Sequence, residues 1–137
     1  MYKKISAEIL FFAILIFSTA ASAEIQTFEG VGTYYMENEN ETLDFAKNKA
    51  KLAAELNALE QAQVYIYSYS ELHNLNLKQD EIISITAGIL KVTDIRYSLK
   101  TESDILLMCA TVTAEIDTDK ISEMVEHEIK RHTEENK

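Results

Sequence analysis

Patterns of apolar and polar residues divide most of the chain into predicted helices and strands. Residues 25–36 (IQTFEGVGTYYM) are rich in β-branched and aromatic side chains, which predicts a strand. Residues 43 to about 65 repeat apolar side chains at helical spacing, which predicts a long helix. Residues 89–100 and 105–116 alternate in polarity and are joined by a short polar segment, TESD. This arrangement predicts an antiparallel hairpin.

Three further segments are less distinctive. Residues 64–70 (VYIYSYS) fit either the end of the long helix or a short strand. Residues 81–87 (EIISITA) form a short apolar segment that ends at a structural glycine, Gly88, and residues 119–137 form a charged helix or tail. The order of elements predicts an α+β fold in two layers, with a C-terminal helix. We expect an antiparallel sheet of three or four strands, with the long helix packed across one face.

Small residues on two elements predict where the helix meets the sheet. Ala46, Ala50, Ala53 and Ala54 share one face of the predicted helix, with the amides Asn57 and Gln61 further along the same face. Gly30 and Gly32 lie on one side of the first strand. Glycine weakens the interior of a strand unless another group must approach closely. We therefore predict that the helix packs on the first strand through these residues.

The first 23 residues have the layout of a secretory signal peptide. Lys3 and Lys4 precede an apolar run from Ile9 to Phe17, and Ala21-Ser22-Ala23 matches a cleavage site. The apolar run is shorter than the roughly 20 residues of a membrane-spanning helix. We expect cleavage after Ala23 and a product without a stable membrane anchor, in the periplasm or outside the cell.

This cleavage predicts three regions along the chain. Residues 1–23 are the signal peptide, residues 24–118 form one α+β envelope domain, and residues 119–137 form the C-terminal charged helix or tail. The 137 residues carry 13 Lys and Arg against 23 Asp and Glu, a formal net charge of −10. Because nucleic-acid affinity comes mainly from cationic side chains, we expect no nucleic-acid partner.

The sequence contains no motif for catalysis or for a cofactor. The single cysteine, Cys109, excludes an internal disulfide and any site with several cysteine ligands, and its apolar neighbours predict a core position. His127 and His132 are five residues apart, so on a helix they point about 140° apart and cannot share one ion. We predict a protein that is not an enzyme, with no catalytic residues, no metal and no cofactor.

Three tyrosines form a candidate interface. Tyr65, Tyr67 and Tyr69 alternate along the chain, which on a strand would place all three on one face. Tyrosine is enriched at protein interfaces because it combines apolar area with a polar tip. Half-buried core aromatics explain the pattern equally well.

The order of four short motifs resembles a known family. They are FEGVGTYY at 28–35, AKNKAKLAAELNA at 46–58, DEIISITAGIL at 80–90 and ATVTAEID at 110–117. Together they resemble the N-terminal domain of the flagellar assembly protein T family and related small secreted lipoprotein antigens of bacterial envelopes. The similarity spans about residues 25–118. It implies an α/β envelope module without catalytic activity, which in the flagellar family helps to build a ring around the motor.

The resemblance also implies partners and a setting. It favours a non-catalytic module that helps to assemble a periplasmic or surface structure, with envelope or flagellar proteins or a second copy as partners. Because the further domains of the flagellar family and the lipid-bearing cysteine of the antigens are not found, we expect a stand-alone module. The alternative is a periplasmic carrier that holds a small ligand between helix and sheet. Tight packing between the alanines and glycines would leave no room for such a ligand.

Overall fold

A computed structural model describes residues 24–137 of the chain. The predicted signal peptide, residues 1–23, lies outside the described residues. The elements in chain order are β1 (Ile25–Met36), α1 (Leu43–Leu72), α2 (Gln79–Ile89), β2 (Lys91–Glu102), β3 (Ile105–Asp117) and α3 (Asp119–Glu135).

The three strands form one antiparallel sheet with β3 in the centre. The spatial order is β1-β3-β2, so β1 and β2 are both edge strands. Val112 of β3 lies opposite Gly30 of β1 on one side and Ile95 of β2 on the other. β2 and β3 are joined by Ser103 and Asp104, whose φ angles are 49° and 64°. Positive φ at both central residues matches the twist of a tight hairpin, and the predicted pairing of these strands is confirmed.

The long helix α1 lies across β1 and β3. Its first turn is capped by Thr42, whose hydroxyl accepts a hydrogen bond from the Phe45 N–H at 3.1 Å. Buried residues recur at every fourth position, as Ala46, Ala50, Ala54, Ala58, Ala62, Ile66 and Ser70. Four residues exceed one helical turn, so this buried line winds slowly around the helix. The helix therefore contacts the sheet through its first half and packs beside α2 in its second half.

Two hydrophobic clusters share this scaffold. The first is built mainly from small side chains: four alanines of α1 and Ala110, Val112 and Ala114 of β3, with Met108 at one end. The second contains mainly large side chains, together with Ala62, from five elements: Phe28, Ala62, Ile66, Ile82, Ile85, Ile89, Ile116, Ile121 and Val125. The predicted α+β fold, with one long helix on one sheet face and a C-terminal helix, is confirmed.

The structure decides two segments that the sequence left open. α1 continues through residues 64–70, and the apolar segment at 81–87 lies inside the helix α2. The backbone N–H of Lys78 donates to the carboxylate of Glu81 at 2.9 Å, which satisfies one of the free donors at the start of α2. Gly88 lies inside this helix, directly before its last residue, Ile89.

Candidate interaction surface

The backbone of α1 packs directly against the backbone of β1. A Cβ atom added at Gly32 would overlap the backbone oxygen of Ala50 and the backbone nitrogen of Ala54. One added at Gly30 would lie 2.6 Å from the backbone nitrogen of Ala58. Neither glycine has a positive φ, so space, and not backbone conformation, requires glycine at these positions. The helix fills the region above β1 and leaves no room for a ligand there.

The predicted alanines contribute unequally to this contact. Ala46 and Ala50 are fully buried, whereas Ala53 is exposed at the side of the interface. The Ala53 methyl group would still lie 2.8 Å from a Cβ at Gly32, so it borders the contact. The buried line runs through Ala54, which the predicted helical face included, and through Ala58, which it did not.

Two amide side chains of α1 close the free edge of β1. The Asn57 Oδ1 atom accepts a hydrogen bond from the Val31 N–H at 3.0 Å, and the Gln61 Nε2 atom donates to the Glu29 carbonyl at 2.8 Å. Gln61 also donates to Asn57 at 3.2 Å, so the two amides are held together. An edge strand with free N–H and C=O groups is a template for another strand, and this stretch of β1 is occupied.

The opposite edge strand, β2, is open. Every residue of β2 is exposed except Ile95, which is half-buried. On the side of the sheet that carries α1, Tyr97 is 39% exposed and Leu99 is 46% exposed. The Lys47 ammonium group lies 5.5 Å from the centre of the Tyr97 ring, at the border of α1. The helix stops short of β2, which leaves an apolar surface beside an unpaired strand.

The three candidate tyrosines do not share a face. They lie in α1, where residues two apart point in different directions. Tyr65 and Tyr69 pack against the large-residue cluster, with the Tyr65 ring 5.7 Å from the Phe28 ring, centre to centre. Tyr67 points away and is 52% exposed. A row of three would require a strand and does not form. Tyr65 and Tyr69 fit the alternative of half-buried core aromatics, and of the three only Tyr67 is exposed to a partner.

A hydrogen-bonded cluster marks the end of the sheet where β1 meets α1. The Tyr34 hydroxyl donates to Glu41 Oε1 at 2.9 Å, and this bond, followed by burial, raises the pKa of Tyr34 above its usual 10.0. The negative charge of Glu102, together with a 3.2 Å hydrogen bond to it, raises the pKa of Tyr35. Both effects hold the phenol groups in their neutral, donating form. The cluster fixes the loop after β1 and brings no acid–base pair together.

An open groove lies beside this cluster. Its volume is about 620 Å³, and its apolar part is formed by Met36, Leu43, Ile105 and Leu106. Glu37, Glu39, Glu41 and Asp104 surround it. One oxygen of Glu41, Oε2, is buried without a hydrogen-bond partner among the described residues.

The packing of α3 on α2 brings His132 and Glu128 of α3 close to polar groups of α2. The His132 Nε2 atom lies 3.5 Å from Glu81, and Ser84 donates to the nearly fully buried Glu128 at 3.4 Å. Arg131 compensates the charge of Glu128 through an ion pair of 2.6 Å. Within residues 24–137, no three His, Cys, Asp or Glu side chains are grouped so that they could bind a metal ion.

The single cysteine is not a core residue. Cys109 is half-buried and lies opposite Thr33 on one side and Ser98 on the other, on the sheet face that α1 does not cover. Its neighbours Met108 and Ala110 point to the helix side and are buried, because side chains alternate across a strand. The prediction that Cys109 is a core residue was therefore wrong, because residues next to each other in a strand lie on opposite faces of the sheet.

Comparison with other proteins adds no relative. No protein-family model matches the chain, and a search of curated proteins finds no match. Among the helices of residues 24–137, none is both long enough and apolar enough to cross a membrane.

Proposed function

We propose that this chain is a non-catalytic secreted module of the cell envelope. In this role it takes part in assembling a periplasmic or surface structure through protein–protein contacts, and flagellar structures are one candidate. The observation that carries the proposal is the open strand β2 beside exposed Tyr97 and Leu99, on a scaffold whose other edge strand is occupied at Glu29 and Val31.

Two features support assembly over catalysis. Well-ordered polar side chains serve structural purposes: Asn57 and Gln61 hold β1, and Tyr34 holds the loop through Glu41. Apolar side chains, in contrast, are left in solvent on β2 and on the outer side of α1. Exposed apolar surface next to an unpaired strand is typical of binding surfaces.

The proposed location rests on the sequence of residues 1–23. If that segment is a signal peptide, the exported protein begins at Glu24, directly before β1. The mass of the intact exported product tests this. A mass equal to that of residues 24–137 supports export with cleavage, and a mass that includes residues 1–23 contradicts it.

A carrier of small ligands is the alternative function. The site first considered for it, between helix and sheet, is filled by the backbone contacts of Gly30 and Gly32. The groove beside Met36 and Leu106 remains as a possible ligand site. A ligand retained through purification, with a Leu106→Lys variant that no longer retains it, would favour the carrier.

Position-specific crosslinking in the cell tests the assembly function. A photoreactive residue at Leu99 is expected to give discrete crosslinked products with envelope proteins or with a second copy. Val31, which is 54% exposed on the opposite edge strand, provides the matched control position. Equal, diffuse crosslinking from both positions would contradict the proposal. Loss of flagella after deletion of the gene would identify the assembled structure as the flagellum.

A further inference from the structure

We propose that β2 pairs with β2 of a second copy, antiparallel and centred on Tyr97, to give a continuous six-stranded sheet. The proposal rests on the proposed function, because it names the partner of the assembly surface. Three observations identify a second copy of this chain as the partner. They are the free edge of the sheet, the backbone groups that β2 presents there, and the self-complementary sequence of its side chains.

The first observation is the difference between the two edges. Asn57 and Gln61 already occupy the N–H of Val31 and the carbonyl of Glu29 on β1. No side chain or backbone group of residues 24–137 forms a hydrogen bond to the outward edge of β2. A strand from a second copy can therefore add at β2, whereas the middle of β1 is closed to it.

The second observation is the set of backbone groups that β2 presents. The Val31 N–H points away from β3 and binds Asn57. The backbone N–H and C=O groups of its neighbour Gly30 therefore point toward β3, where Gly30 pairs with Val112. Backbone groups alternate along each strand, so Thr111 of β3 points the other way, toward Arg96 of β2. The N–H and C=O groups that point outward from β2 therefore belong to residues 95, 97 and 99.

The third observation is that this segment is complementary to itself. In an antiparallel pair centred on Tyr97, each Tyr97 lies opposite its copy, and Ile95 lies opposite Leu99. On the other face of the sheet, Asp94 lies opposite Lys100. Aromatic, apolar and opposite-charge pairs are the cross-strand combinations that stabilise sheets.

Neighbouring registers lack this complementarity. A centre at Arg96 places two arginines opposite each other. A centre at Ser98 places Arg96 opposite Lys100 and Asp94 opposite Glu102, which are both pairs of like charge. Since like charges directly opposite are destabilising, the charges on β2 select the register centred on Tyr97 over these two.

The irregular part of β2 limits the paired segment. Between Val92 and Asp94 the register with β3 shifts by one residue, as in a β-bulge. Bulges disrupt the ladder locally and are one way in which proteins blunt an edge strand. Because this one lies before Asp94, it leaves residues 94–100 regular and free to pair.

Disulfide trapping tests the pairing and its centre. The protein is expressed from its full sequence with Cys109→Ser to remove the native thiol and Tyr97→Cys to introduce a new one. Directly opposite residues of a hydrogen-bonded antiparallel pair have Cα atoms about 5.5 Å apart, which a disulfide can bridge. We expect a covalent dimer under mild oxidation. Val31→Cys in the same background, an exposed position on the closed edge, is expected to remain monomeric.

Two further variants are designed to weaken dimerisation without changing the fold of the monomer. Leu99→Pro removes an outward N–H without removing a bond to β3. Asp94→Lys places two lysines opposite each other and also removes the exposed ion pair between Asp94 and Arg96 of the same strand, at 3.4 Å. Each is expected to weaken dimerisation at least about tenfold with an unchanged circular dichroism spectrum. The double variant Asp94→Lys with Lys100→Asp is expected to restore the dimer, which a structural defect would not allow.

The outcomes separate this proposal from the proposed function. A monomer at every concentration tested, or equal trapping at Val31 and Tyr97, would overturn the pairing of β2 with itself. If Leu99 at the same time crosslinks a different envelope protein in cells, the assembly function stands and only the second copy is wrong.

Discussion

The two edges of the sheet differ in how they meet the helix. At β1, glycines allow α1 to approach to backbone contact, and Asn57 and Gln61 then reach the strand edge. At β2, the helix contributes little more than Lys47 beside Tyr97, and the strand stays exposed. We call these the closed side and the open side.

This difference shows how one helix can control both edges of a small sheet. Because α1 lies over β1 and β3, its amide side chains reach the edge of β1 and its backbone leaves most of β2 uncovered. Each of the following substitutions is designed to break or to sharpen this difference.

The largest effect is expected from Gly32→Val on the closed side. Its side chain would collide with the backbone of α1 at Ala50 and Ala54, which cannot move aside as a flexible side chain can. We expect a loss of about 3 kcal/mol in the free energy of unfolding, at the upper end of the cost of overpacking. Chemical denaturation monitored by circular dichroism measures it.

Gly88→Ala provides the matched control for glycine removal. Its Cβ would meet only the flexible end of Met124, at 2.8 Å, and alanine favours a helix over glycine by up to about 1 kcal/mol. We expect a free energy of unfolding that is unchanged or slightly higher. If Gly32→Val were equally harmless, the backbone contact on the closed side would not exist.

The next largest loss of stability is expected from a substitution on the buried face of α1, with a substitution on its exposed face as the control. Tyr65→Ala removes a ring that packs on Phe28 and should cost about 2 kcal/mol, somewhat below the cost for a fully buried aromatic residue. Tyr67→Ala, at an exposed position, should change the free energy of unfolding by no more than about 0.5 kcal/mol. Thermal or chemical denaturation of both variants checks this order, and similar losses would mean that Tyr67 is also part of the core.

A smaller effect is expected from opening the closed edge. Asn57→Ala and Gln61→Ala each remove hydrogen bonds to β1 and should cost about 1 kcal/mol. Asn48→Ala, an exposed amide on the same helix, is the control and should be nearly neutral. The double variant should also associate more strongly in sedimentation experiments, because β1 then offers a second free edge. A double variant with unchanged stability would show that the amides do not protect the strand.

The smallest effect depends on pH. The bond to Glu41 raises the pKa of Tyr34 in the folded protein, so the neutral phenol is the stabilised form. Its contribution is fully present below the ordinary pKa of 10.0 and is lost as the pH rises through the raised value. Wild-type protein should therefore be more stable than Tyr34→Phe at neutral pH. Denaturation at several pH values should show this difference shrinking above pH 10, and a constant difference would contradict the assignment.

Much of the fold follows from local pattern. The alternation in residues 105–116 and the short polar turn before it were sufficient to predict the hairpin, because strand periodicity and turn length act over neighbouring residues. The glycines at 30 and 32 and the alanines at 46 and 50 also indicated a close helix–strand contact. These features depend on residue size and spacing alone.

Two segments stayed undecided because tertiary packing, and not local preference, determines their structure. Residues 64–70 favour a strand by composition, but Ile66 is completely buried against the isoleucines of α2, so the helix continues. The segment at 81–87 is too short for periodicity to distinguish a strand from a helix. The sequence signal for a helix start was Glu81, whose carboxylate accepts a hydrogen bond from the backbone of Lys78 three residues earlier. Lysine is not a usual N-cap residue, so this signal was weak.

The open and closed edges could be recognised only in three dimensions. Asn57 and Gln61 stood out in the sequence as amides on an alanine-lined helix face, which was the available signal for their role. Nothing local to the sequence indicates that they reach the edge of β1. The availability of β2 follows from the strand order, which places it at the outside of the sheet.

Hydrogen exchange at the two edges is the most direct test of pairing through β2. We would measure exchange of the amide protons of Tyr97 and Leu99 over a wide range of protein concentration, with Val31 as internal reference. Protection of Tyr97 and Leu99 is expected to rise with concentration, while Val31, bound by Asn57, keeps the same protection throughout. Fast exchange of Tyr97 and Leu99 at every concentration would contradict pairing of β2 with a second copy.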